Sequence, residues 1–117
     1  MSISKRLLIH RVEFKQNTGK RDRDRNPVYE VSELRNVRVG VTRRVQAGQH
    51  GVIRADTMTL FIDGKYSEMF KDAQKSSLII PKEDDVIVFD GKEYTVKSVT
   101  PCYAAGLNAG HYEVVLE

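Results

Sequence analysis

The segment VIVFDGKEYTVKSV, Val86–Val99, decides the fold. Asp90-Gly91 is the pair that a tight type I′ turn needs, because both central residues take positive φ. A two-residue connection fixes the register. Phe89 then faces Lys92, Ile87 faces Tyr94, and Asp85 faces Val96. Ile87, Phe89, Tyr94 and Val96 share one side, a core face. Val86, Val88, Glu93, Thr95 and Lys97 share the other, a solvated or partner-facing surface.

Working outward, most of the chain reads as strand. In LLIHRVEF, Leu7–Phe14, one side holds Leu8, His10, Val12 and Phe14. Lys15–Pro27, KQNTGKRDRDRNP, lacks apolar residues and predicts a loop. In VYEVSELRNVRVGV, Val37, Val39 and Val41 alternate with Arg38, Gly40 and Thr42, a half-buried strand. TRRVQAGQHG, Thr42–Gly51, predicts a second loop. VIRADTMTLFID is a strand whose poor alternation leaves its register open. GKYSEMFKDAQKSS fits either one or two helical turns N-capped by Ser67 or an irregular excursion. HYEVVLE closes the chain, with Tyr112, Val114 and Leu116 on one side and His111, Glu113 and Glu117 on the other. The expected fold is all-β and mainly antiparallel: a small barrel or sandwich with long loops and at most one short helix, as a single domain over residues 1–117.

Composition narrows the class of protein. With 117 residues, 40% hydrophobic and 30% charged, the chain has an ordinary globular composition. Its apolar runs are too short to span a bilayer as a helix. The N-terminal stretch lacks the apolar core of a secretory signal, so synthesis in a host cytoplasm is expected. One cysteine excludes an internal disulfide framework. The net charge of +3 hides an asymmetry: residues 1–55 hold 13 Lys and Arg against 5 Asp and Glu, and the remainder is acidic. From Leu34 to Ala55 there is no acid. Either the halves pair within the monomer, or a basic surface meets phosphates or an acidic neighbouring subunit.

No constellation predicts catalysis, a metal or a cofactor. Asp84 and Asp85 are neighbours on a strand and point to opposite faces. His10, His50, His111 and Cys102 have no zinc spacing, and His10 and Cys102 read as packed side chains. Acids interrupt GKRDRDR, and AAGLNAG (104–110) lacks the spacing of a phosphate loop. Arg21, Arg23, Arg25, Arg38 and Arg54 are candidate subunit or partner contacts. The acid-free segment with Arg43, Arg44, Gln46, Gly48, Gln49, His50 and Gly51 is the candidate DNA-facing loop.

The chain resembles the small minor capsid, or head–tail joining, proteins of long-tailed bacteriophages and prophages. The resemblance rests on ISKRLLIHRVEF, on LRNVRVG, on LIIPKEDDVIVFDGKEYTVKSVTPCY (Leu78–Tyr103) and on the closing HYEVVLE. Asp84 stands where such hairpins often carry Gly. The resemblance implies a non-enzymatic virion protein at the head–tail interface, in a stopper-like ring that closes the filled head and offers a surface for the tail. Its implied partners are a portal or adaptor ring, tail proteins and further copies of itself, with transient contact to packaged DNA and none to a membrane. A tail-terminator or tail-completion role is an alternative within the virion. A free nucleic-acid-binding barrel of the OB type is a third reading, and it needs exposed aromatics on a sheet face.

Overall fold

In a computed structural model of the chain, β6 (Val86–Phe89) and β7 (Lys92–Tyr103) pair in the expected register, Phe89 with Lys92 and Ile87 with Tyr94. Backbone is described for residues 5–48, 51–103 and 109–117, and side chains for 6–41, 57–102 and 110–117. The turn has φ of 53° at Asp90 and 76° at Gly91, the type I′ signature. The remaining elements are a 3-10 turn (Lys5–Leu7), β1 (His10–Arg21), β2 (Pro27–Gly48), β3 (Gly51–Asp63), β4 (Glu68–Lys71), β5 (Gln74–Ser76) and β8 (Ala109–Leu116). The chain is all-β and antiparallel throughout the described sheet.

Two three-stranded meanders, β1–β2–β3 and β6–β7–β8, close on each other through β3–β8 and β1–β6 pairing. The result is a six-stranded closed barrel. Closure hides the sheet edges that an open sheet would expose. Val12 and Phe14 from β1 and Leu34, Val37 and Val39 from β2 fill it. So do Leu60 and Ile62 from β3, Ile87 and Val96 from β6–β7, and Val114 and Leu116 from β8. Val41, expected on the core face, is 57% exposed at the barrel rim, where its partner Met58 makes the last β3–β8 pair, with Leu116.

The segment 64–77 is neither helix nor irregular. β4 continues the line of β3 along the same edge of β2: Ile62 pairs with Val37, and after an interruption Glu68 pairs with Arg35. Asn36, at φ 57°, bulges opposite the interruption. Ser67, expected as an N-cap, instead accepts from the Asp63 amide (2.8 Å) and donates to the Asn36 carbonyl (2.7 Å). The Asn36 side-chain amide donates to the Tyr66 carbonyl, and Asp63 Oδ1 accepts the Lys65 and Tyr66 amides. A second tight turn, Asp72-Ala73, has both residues at positive φ and joins β4 to β5.

Asp84 sits at φ 75° in the turn that leads into β6, where the Asp85 amide donates to the Lys82 carbonyl (3.1 Å). That is the position a type II turn reserves for Gly, so Asp84 holds a conformation that glycine adopts more readily. Three substitutions test the turns. Gly91→Val is expected to cost about 1–2 kcal/mol through backbone strain. An added Cβ meets no atom within 4 Å, so the backbone conformation is the source of the cost. Asp84→Gly and Ala73→Gly should each gain about 0.5–1 kcal/mol. Urea unfolding reads all three, and a Gly91→Val protein as stable as its parent would contradict the turn assignment.

Candidate functional site

Two hairpin arms project from the barrel, one from each end of β2. β2 runs for 22 residues, and at ~3.3 Å per residue it would measure ~70 Å if straight. The largest extent of the molecule is 49 Å, so β2 must bend. Its N-terminal part pairs with β1 and its C-terminal part with β3.

The first arm corrects the loop expected over Lys15–Pro27. β1 pairs with β6 only through Lys15, yet its pairing with β2 continues to Arg21↔Pro27. A register shift between Asn17 and Arg21 accompanies Gly19, whose φ is 78°. The tip is organised by Asp22, whose carboxylate accepts the Asp24 amide (2.8 Å) and the Asn26 amide (2.9 Å). Arg25 takes φ 64°, and its carbonyl accepts from the Arg21 guanidinium. Arg21, Arg23 and Arg25 are therefore displayed at one exposed tip. Asp22, which the sequence offers only as an interruption of the basic run, builds the turn that displays them.

The second arm corrects the loop expected over Thr42–Gly51. β8 accompanies β3 only as far as Leu116↔Met58. Beyond that point Thr42↔Thr57 through Gly48↔Gly51 form a ribbon of two strands. At ~3.4 Å per residue it is about 20 Å long. Arg43, Arg44, Gln46 and Gly48 lie on β2, and Gly51 and Arg54 on β3. Gln49 and His50 lie outside the described residues. The register sets Asp56 opposite Arg43, an acid that sequence distance had hidden. The arm still carries three arginines, Arg43, Arg44 and Arg54, against that one acid. Arg38 stands apart, half-buried on the barrel wall opposite Phe61. The five arginines expected as partner contacts thus divide among the first tip, the wall and the second arm.

Between the arms the barrel wall is laced with ion pairs. Arg35 donates to Glu33 at 2.8 Å, and Arg11 approaches the same carboxylate at 3.5 Å. The Arg35 hydrogen bond holds the Glu33 carboxyl below the usual carboxylate range. The Arg35 guanidinium also lies 4.1 Å from the centre of the Phe70 ring. Lys15 and Glu93 pair at 2.8 Å, and their hydrogen bond raises the Lys15 pKa. This last pair joins the basic half to the acidic half within one molecule, so internal pairing absorbs part of the charge asymmetry.

The chemical expectations about individual side chains have clear outcomes. His10 is packed: its Nδ1 accepts the Val39 amide (3.0 Å), and its ring meets Phe89 edge-on at 5.1 Å. Asp84 and Asp85 do not converge. Asp84 makes the turn, whereas Asp85 is 1% exposed and accepts the Asn17 and Lys82 amides, both at 2.9 Å. The structural part played by Asp85 has no local signal, because Asn17 is far away in sequence. No helix among the described residues is long and apolar enough to cross a membrane.

Fold and site together define a small closed antiparallel barrel module with two arginine-bearing hairpin arms. The chain belongs to the minor capsid protein family, whose model matches residues 4–116. It is thus a structural bacteriophage protein and a component of the virion. No curated protein matches the chain.

Proposed function

We propose that this minor capsid protein forms a ring at the head–tail connector, where it closes the DNA-filled head and offers a docking surface to the tail. The observation that carries this reading is the pair of arms leaving opposite ends of β2 in a protein of this family. A closed barrel resists deformation, and arms that reach outward suit the heterologous, head-to-tail contacts that close rings. The first tip, with Arg21, Arg23 and Arg25, suits an acidic neighbouring surface. The second arm, with Arg43, Arg44 and Arg54 against Asp56, suits a channel that attracts phosphate without reading bases. A free OB-type barrel is disfavoured: Phe14 is buried, and Phe89, Tyr94 and Tyr112 pack against the core, so they offer no stacking face.

The isolated protein is expected to be monomeric or weakly associated and to form a ring only on a portal–adaptor platform, because a two-stranded ribbon is marginal in water until a partner orders it. Light scattering of the protein alone should give the monomer mass. Electron microscopy with the purified platform should show an added ring. A protein that ignores head platforms yet binds oligonucleotides tightly would support the OB-type reading instead. One that assembles only on tail tubes would indicate a tail terminator.

A further inference from the structure

The β7–β8 ladder sets Cys102 directly opposite His111, and Glu113 follows His111 on the same outward face. Donor atoms of these three side chains all lie within 4.8 Å of one another. His111 Nε2 and Glu113 Oε1 are 3.7 Å apart. We propose that Cys102, His111 and Glu113 form a binding site for a divalent transition-metal ion of the zinc type.

The geometry is close to what such an ion requires. With metal–ligand bonds of 2.0–2.3 Å, tetrahedral donors stand about 3.3–3.8 Å apart. Small side-chain rotations close the remaining gap. Thiolate, imidazole and carboxylate together suit zinc or cobalt and are a poor match for calcium or magnesium, which take oxygen ligands. Three protein donors leave one position for water. The His111 side chain is 16% exposed and that of Glu113 is 44% exposed, so an ion has access. The site escapes the sequence because nothing local reveals that Cys102 and His111 are cross-strand neighbours. A metal here would clip β7 to β8 beside the register shift at Cys102/Tyr103. The proposal does not depend on the connector role.

The test is titration of the tag-free, reduced protein with Co²⁺, followed by competition with Zn²⁺. The expected result is saturation at one equivalent, with a sulfur-to-cobalt charge-transfer band in the near ultraviolet that zinc abolishes. Cys102→Ser, checked for folding by circular dichroism, should lose the band and weaken binding by more than about a hundredfold, beyond what loss of an outer-shell partner causes. His111→Gln should also weaken binding, and zinc should raise the melting temperature of the parent but of neither variant. Absence of saturable binding at micromolar cobalt would overturn the proposal. So would binding without a thiolate band, or binding that survives Cys102→Ser.

Discussion

Asp85→Ala is expected to destabilise the protein by about 3 kcal/mol and to lower its melting temperature by roughly 10–15 °C. The barrel closes through β1–β6, a seam of only three residue pairs, Glu13↔Val88, Phe14↔Ile87 and Lys15↔Val86. Asp85 lengthens that seam. Its Oδ1 accepts the Asn17 amide across the closure, and its Oδ2 accepts the Lys82 amide within the preceding turn. Its main-chain carbonyl meanwhile accepts the Val96 amide at 2.8 Å. One buried residue thus ties β1, the turn and β7 together. Alanine would take the carboxylate acceptors from the Asn17 and Lys82 amides at a part-buried junction. Asp85→Asn keeps the shape but has a single acceptor oxygen, and about half the loss is expected. Urea unfolding measures both. A cost below about 1 kcal/mol for alanine, the worth of an ordinary neutral hydrogen bond, would show that closure does not depend on this side chain.

The second large effect is on the virus. Deleting Ala47–Gly51 in the phage genome removes the end of the second arm and leaves the barrel pairs Met58–Asp63 with β8 intact. The protein should therefore fold and enter particles. If copies of this arm meet at the axis of a ring and hold DNA back until the tail docks, heads will package normally and then leak DNA before tails attach. Infectious titre should fall by orders of magnitude, with empty, tailless heads accumulating. Particles that kept their DNA and remained infectious would show that the arm is not the gate.

How far the sequence revealed this fold depended on the turn residues. Asp90-Gly91 announces its own geometry, so the β6–β7 hairpin was legible down to its register and its buried face. Asp72-Ala73 makes the same kind of turn with a residue that gives no such signal, and the β4–β5 hairpin passed for a helix or an excursion. The arms look like loops in the sequence for a related reason. A strand earns its alternation by burying one face. Gly19–Arg21 are exposed, and Thr42–Gly48 pair with β3 where β8 no longer accompanies it, so neither stretch has to carry the apolar alternation of a barrel strand. What the residues could not disclose was long-range pairing: Asn17 with Asp85, Arg43 with Asp56, Cys102 with His111. The family resemblance needs none of this, since it rests on the opening and closing strands, on LRNVRVG and on Leu78–Tyr103, and the family match over residues 4–116 agrees with it.

The central claim, a connector ring, is tested most directly by cryo-electron microscopy of the intact virion without imposed capsid symmetry. The account predicts a ring of six-stranded barrels between the portal–adaptor assembly and the first tail ring, with the β2–β3 arms directed toward the channel. The same barrel found on the outer capsid surface, within the tail, or nowhere along the DNA path would contradict it.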